Sequence, residues 1–374
     1  MFPPLRFPEF TEEWKAEQLD NIATLSKGIG ISKEQLSEDG EPCILYGELY
    51  TKYKSEIIKQ VESKTDINGS KLKRSKANDV IIPCSGETAV DIATARCVPF
   101  DNILFGGDLN VISLHQYDGA FMSYQLNGKR KYDIARVAQG VSIVHLYGEH
   151  LKAIKTYNPT LPEQQKIAKL LSLLDDRIDT QNKIIEDLKK LKSAISERLF
   201  KSVKGFTVLL SDLCDIVKGK QINGENLSDS GNYYVMNGGT EPSGYYDNYN
   251  VEASTISISE GGNSCGYVQF NTSPFWSGGH CYSIQNIADK VDNMYLYHYL
   301  KSNEDAIMKL RIGSGLPNIQ KKDLAMFKII VPKIEWQIKI STFLSSLERK
   351  AEIEERIQNV MQKQKLYLLQ QMFI

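Results

Sequence analysis

The sequence predicts an α+β fold: two similar mixed α/β domains separated by a long antiparallel coiled coil of two helices, with an approximate internal two-fold axis. Three observations predict it. One arrangement of residues occurs twice along the chain. Each copy runs into a long polar segment whose apolar residues recur at alternating steps of four and three, the period of a coiled-coil seam. The rest consists of short β-rich runs punctuated by Gly, Asn and Ser.

The duplication is visible in "GVSIVHLYGEHLKAIKTYNP" at 140–159 and "GSGLPNIQKKDLAMFKIIVP" at 313–332, an offset of 173 residues. The same offset pairs Gln164 with Gln337, Lys166 with Lys339, Ile167 with Ile340, Leu171 with Leu344, Leu174 with Leu347 and Phe200 with Phe373. Upstream, "FMSYQL" at 121–126 aligns with "MYLYHY" at 294–299, and "FGGD" at 105–108 with "SGGH" at 277–280. The starts correspond with a shifted offset, "LDNIATLSKG" at 19–28 against "LSDLCDIVKG" at 210–219. So long a period means duplicated domains, not a solenoid. The boundaries read as globular 1–156, helical 157–204, globular 205–331 and helical 332–374.

Taken in order, the first globular part predicts strands at "DVIIP" (79–83) and "NVISL" (110–114), and the second at "ASTISIS" (253–259). The first helix carries Ile167, Leu171, Leu174, Ile178, Gln181, Ile185, Leu188, Lys192, Ile195 and Leu199 on one seam, which only Gln181 and Lys192 interrupt. A Pro near its start and Gly205 just past its end mark its limits. The second helix starts the same seam with Ile340, Leu344, Leu347 and Ala351. Glu354, Gln358 and Lys365 then interrupt it, Met361 and Met372 keep its spacing, and Ile353, Ile357, Val360 and Leu368 point to a neighbouring face. A short link after the first helix makes antiparallel pairing the simple solution.

Composition narrows the class. The chain has 374 residues and 42.3 kDa, enough for two domains with real cores. Its apolar runs are too short to span a membrane, and "MFPPLRFPEF" lacks the layout of a secretory signal. Six cysteines without a CxxC pair predict reduced structural thiols and a cytoplasmic chain, with no metal site. A net charge of −1 leaves nucleic-acid binding to local patches. There is no phosphate-binding GxxxxGK[ST] and no GxSxG elbow, and no catalytic residue set stands out. Asp175, Asp176 and Asp179 are expected to solvate the outer face of the first helix.

Two similar heads on a rigid spacer suit a target with two separated sub-sites, such as DNA. "KLKRSK" at 71–76 concentrates Lys71, Lys73, Arg74 and Lys76, either as a phosphate-gripping patch or as a solvated loop. Lys52, Lys54, Lys218, Lys220 and Arg311 are further cationic candidates. Ser85, Gly86 and Thr88 in "CSGETA", and Ser259, Gly262 and Asn263 in "SEGGNSCG", could present backbone N–H groups to a phosphate or base, or could form tight turns. Tyr245 and Tyr246 could meet DNA or cover their own sheet.

The chain resembles the specificity (S) subunits of type I restriction–modification systems. The resemblance rests on the opening "LRFPEFTEEWKAEQLDNIA", on "DVIIPCSGETAVDIA", and above all on "YNPTLPEQQKIAKLLSLLDDRIDTQNKIIEDLKKLKSAISERLF" and its counterpart "IVPKIEWQIKISTFLSSLERKAEIEERIQNVMQKQKLYLLQQMF". It covers essentially the whole chain. It implies two target-recognition domains, each reading one half of a split, asymmetric sequence in double-stranded DNA, with helical regions that fix the spacer. It also implies that the helices present surfaces to two methyltransferase (M) subunits, and that restriction (R) subunits join the cleaving complex. S-adenosylmethionine, ATP and Mg²⁺ belong to those partners, and no cofactor is expected on this non-catalytic chain. Seam packing is expected from Leu171, Leu174, Ile178, Ile185, Leu188, Ile195, Leu344, Leu347, Ile357 and Leu368. The second helical region departs from the first, with "KIEWQ" where the first has "PEQQK". The rival readings are a protein-interaction scaffold that never touches DNA and an enzyme with a site in a head-domain cleft.

Overall fold

The computed structural model describes every residue except Val141, Ser142, Ser314 and Leu316, which fall within the two repeated stretches. Asp79–Pro83 is a wholly buried strand, as the apolar run Val80–Ile82 requires, and Asp79 accepts from the Lys76 amide at 2.8 Å. Val80 and Ile82 enter one core with Ile112 and Met122, while Ile81 enters another with Leu109, Val111 and Phe105, because successive side chains point to opposite faces. The strand lies in an antiparallel sheet ordered Ala23–Lys27, Leu109–Leu114, Asp79–Pro83, Arg96–Val98. A smaller mixed sheet places Glu41–Ile44 parallel to Leu104–Phe105.

The second head repeats this plan. Its antiparallel sheet is ordered Asp215–Lys218, Cys281–Gln285, Thr255–Ser259, Val268–Asn271. Its smaller sheet places Tyr233–Met236 parallel to Trp276–Ser277. In both heads a two-stranded ribbon joins the start of the head to the strand before a long helix: Lys15–Gln18 with Lys155–Asn158, and Phe206–Leu209 with Lys328–Val331. All six cysteines are buried and free. Burial pushes the thiols of Cys43, Cys84 and Cys281 up to about 11, so they stay protonated and unreactive at neutral pH.

One helix in each head is capped alike. Asp118 accepts from the Phe121 amide and Asp292 from the Tyr295 amide, each at 2.7 Å, satisfying an orphan first-turn donor. These caps lie 174 residues apart, so the alignment of 121–126 with 294–299 is corrected by one position. Phe121 matches Tyr295, and Tyr124 matches His298. Packing agrees: Phe121 lies 5.2 Å from Phe373, and Tyr295 lies 5.8 Å from Phe200, the counterpart of Phe373.

The long helices are Leu161–Ser202 and Ile334–Gln371. The chain divides into two compact units, Met1–Asn182 with Arg356–Ile374, and Lys183–Glu355. Each unit thus holds one head and a portion of both long helices. Within the first, Asp175 meets Lys365 and Asn182 meets Gln358. Within the second, Lys189 meets Glu355 and Lys192 meets Glu348. In each unit one partner number rises as the other falls, so the helices run antiparallel there.

In the first helix the seam residues are buried or half-buried. Leu171 and its counterpart Leu344 are wholly inaccessible, a burial that contributes roughly 1.5–3 kcal/mol each. Ile167 and Ile185 are also buried, and Leu174, Ile178, Leu188 and Ile195 are half-buried. In the second helix Leu347 and Leu368 are half-buried, but Ile357 is 38 % exposed and does not belong to the packing face. Ile353 and Val360 are exposed with it. The seam keeps its original phase through Glu354, Gln358, Met361 and Lys365, because Glu354, Gln358 and Lys365 find polar partners.

The aspartates of the first helix also differ from expectation. Asp175 is buried against Lys365, whose ammonium also reaches Glu56 of the head at 2.6 Å. Tyr124 donates to Asp175 at 2.7 Å. Asp176 and Asp179 hold Lys59 of the head at 2.6 and 2.7 Å. This cluster seats the first head on its helices; it does not merely solvate them.

Candidate nucleic-acid interface

At one end of each large sheet, several loops meet on a shared backbone frame. In the first head the Gly28 amide donates to Leu109, the Ile29 amide to Phe105, the Gly106 amide to Ile44 and the Cys84 amide to the Asp108 carbonyl. In the second head the Gly219 amide donates to Cys281, the Lys220 amide to Ser277, the Gly278 amide to Met236 and the Glu260 amide to the His280 carbonyl. The frame closes alike, with Leu146 donating to Cys84 and Ile319 to Glu260, at 2.8 Å in both. Glycine is obligatory where the loops touch: a Cβ on Gly28 would lie 1.9 Å from the Gly106 carbonyl oxygen, and one on Gly219 2.2 Å from that of Gly278.

The side chains on this frame differ. The first head presents exposed Lys27 and Ile29 beside Cys84 and Asp108. The Lys27 ammonium lies 5.6 Å from the Tyr147 ring centre. The second head presents Lys218, Lys220, Glu260 and His280 at the equivalent places. Lys218 binds Glu260 Oε1 at 2.6 Å, and the Tyr282 hydroxyl lies 3.0 Å from the same oxygen. Among the described residues Glu260 Oε2 has no hydrogen-bond partner, and His280 Nδ1 lies 3.7 Å from it.

The sequence candidates divide between this rim and other places. Lys218 and Lys220 lie on it. Ser259 is buried and donates to the Gly238 carbonyl at 2.7 Å, a structural bond. Gly262 holds a left-handed φ of 76° and donates to Pro317, with exposed Asn263 beside it. Arg311 is exposed. Tyr245 and Tyr246 form a strand against Tyr233–Tyr234, and Tyr246 packs edge-on against Trp276 at 5.2 Å.

In the first head Ser85 pairs with His145 across a short ribbon, and the Ser85 carbonyl accepts from Tyr50. Gly86 packs under Tyr50 and Ile92, and Thr88 caps the turn Ala89–Ile92. Lys73 and Lys76 converge on a polar groove of about 320 Å³ with Thr24, Ser26, Asn78 and His115. Arg74, on the opposite face of the strand, makes a two-pronged pair with Glu41 at 2.6 and 3.0 Å, and Lys71 is exposed. Lys52 is engaged by Glu48 and Ser63, and Lys54 lines a separate groove near Lys59. Lys27, Cys84, Asp108, Glu260 and His280 were not among the sequence candidates. The signal for Lys27 was present, since the aligned "LSKG" and "IVKG" place it opposite Lys218.

Among the described residues no His, Cys, Asp and Glu cluster could hold a metal ion, and no helix is long and apolar enough to cross a membrane.

Two heads of one topology, each tied to a long helix, define a protein of two duplicated domains, and comparison with known proteins gives the family. Residues 11–190 and 205–363 both match the type I restriction modification DNA specificity domain; the chain belongs to this family. It is 34 % identical over 122 residues to a putative type I specificity subunit of Mycoplasma genitalium, covering 32 % of this chain and 31 % of that protein. It is 24 % identical to the MjaVIII type I restriction enzyme specificity subunit of Methanocaldococcus jannaschii, covering 96 % and 91 %. The chain thus spans about a third of the Mycoplasma relative. The crystal structure of the type I restriction–modification S subunit from M. genitalium has the same fold, with a TM-score of 0.70, 20 % identity and coverage of 100 % and 99 %.

Proposed function

We propose that this chain is a non-catalytic DNA-recognition subunit. Each head reads one half of a bipartite, asymmetric site, and the helical regions set the spacer between the halves. Two methyltransferase subunits and, in the cleaving complex, restriction subunits are positioned by it, and these carry S-adenosylmethionine, ATP and Mg²⁺. The observation that supports this reading best is the shared backbone frame with different chemistry at its rim. A common frame delivers both heads to the same kind of surface, and different side chains give each its own base preference. Lysines suit guanine O6 and N7, and a carboxylate suits the cytosine amino group, each good pair being worth roughly 1–3 kcal/mol of discrimination. Lys71, Lys73 and Lys76 would grip phosphate and set position without reading sequence.

Mapping methylated adenines in DNA from cells that express this chain with its methyltransferase partner tests the reading. The expected result is two short sequences at a fixed separation. Methylation without sequence preference would overturn it. Glu260→Gln with His280→Ala is expected to alter one half-site only; an effect on both halves would contradict modular reading.

A further inference from the structure

The two copies differ in how the chain reaches them. In the first, residues 5–14 lie along the start of the first long helix. The Arg6 guanidinium grips Glu163 through two bonds of 2.7 Å, and the Trp14 indole donates to the same carboxylate at 3.3 Å. Lys166 binds Glu9, and its ammonium stands 4.6 Å from the Phe7 ring and 5.9 Å from Phe10. Phe7 packs against the core formed by Trp14, Phe121, Ile167 and Leu171. An extended segment rich in aromatic and acidic residues therefore covers this helix face.

In the second copy the chain arrives through a helix that ends at Ser202, and the first strand begins at Phe206. No extended segment precedes it. The positions equivalent to Glu163, Lys166 and Leu170 are Trp336, Lys339 and Phe343. Their spacing puts them on one face. Trp336 is 59 % exposed and Phe343 45 %, and the Lys339 ammonium lies over the indole at 5.1 Å. An exposed tryptophan and phenylalanine flanking a cation are costly to leave in water, and aromatic residues anchor interfaces.

We propose that the Trp336–Lys339–Phe343 face docks an extended acidic–aromatic segment of a partner protein, in the manner of residues 5–14 on the equivalent face. Lys339 takes the acid as Lys166 takes Glu9. Trp336 stands where Glu163 does, so the segment needs an aromatic or proline at the place of Arg6. This docking requires no DNA, and its test is independent of sequence reading.

The probe is a fluorescent peptide with the sequence of residues 1–14, added to the full chain and followed by anisotropy. Saturable binding is expected, weakened about tenfold or more by Lys339→Glu and restored by a peptide carrying Glu9→Lys. A peptide with Arg6→Ala is expected to bind at least as well, which separates this face from the one that contains Glu163. Lys339 is exposed, so the variant keeps the wild-type fold, checked by circular dichroism. Absence of saturable binding, or loss on Lys166→Glu and not on Lys339→Glu, would overturn the proposal. Concentration-dependent dimers of the wild-type chain that Lys339→Glu abolishes would assign the face to a second copy and refute the partner assignment.

Discussion

The junctions that seat the two heads on their helices use the same parts under different conditions. In the first unit Lys365, Asp175 and Tyr124 meet; in the second Lys192, Glu348 and Tyr297 meet. Lys192 and Glu348 stand at the positions equivalent to Lys365 and Asp175. The first junction is closed. Asp175 is 5 % exposed, and Glu56 adds a second carboxylate. Burial opposes the charge on Glu56, but Lys365 and Arg96 outweigh it and hold its carboxyl below the usual range. Burial holds Asp175 above that range, with Lys365 opposing and Glu56 reinforcing the shift. The second junction is open: Lys192 and Glu348 are 22 % and 28 % exposed. Its neighbour His298, at the place of Tyr124, lies 2.9 Å from Ser345 Oγ. The difference teaches that a duplicated contact keeps its geometry while burial decides its energetic weight.

Breaking the closed junction carries the largest effect. Lys365→Met leaves two buried carboxylates without the cation that bonds both of them, which costs about 3–5 kcal/mol. Hydrogen exchange of Gly119–Asn127 reads this in the first unit, and the second unit is expected to be unaffected. An equal loss in both units would erase the contrast.

The second effect is the pH dependence that His298 gives the second unit. Burial lowers the His298 pKa to about 4, with Glu348 raising it and Lys192 lowering it further. The unfolded chain binds this proton near pH 6.5, so the contribution is complete above that value and is lost as pH falls toward 4. Its size is up to about 3 kcal/mol. Urea denaturation of wild type and His298→Phe between pH 7 and pH 4, read by the exchange of Asn293–Ser302, checks it. A wild-type stability that does not fall on acidification would remove the histidine from the comparison.

Lys192→Met tests the open junction directly. Its cost is roughly 1–2 kcal/mol, because water already screens part of the pair. A loss as large as that of Lys365→Met would show that burial does not separate the two. Arg74→Ala sharpens the lower end of the scale. Its pair with Glu41 lies at the surface, where water and salt screen it, and its loss is expected to leave the urea midpoint close to that of the wild type. Lys73→Ala with Lys76→Ala is expected to leave stability unchanged and to lower the salt slope of DNA binding by up to about 2.

Legibility in the sequence followed the range of the interaction. Leu171, Leu344 and the strand Asp79–Pro83 were readable because period and apolarity are local. The antiparallel sense followed from the short link. The break came at Ile357, where a run of polar seam residues suggested a change of face. Lys365 stays in the seam because Glu56, far away in the chain, meets it. The rim was less legible still. Cys84 and Asp108 carry no signature of belonging together, nor do Glu260 and His280, because backbone bonds between separate loops assemble them.

The sequence by itself determined the duplication, the two helices and their seam, and the family, since each is written in spacing that a helix or strand reads one turn or one residue pair at a time. Only the tertiary structure decided which charges are matched, which side chains reach the rim, and which helix face is left uncovered. Those outcomes depend on groups remote in sequence and on the exclusion of water between them, which no local pattern records.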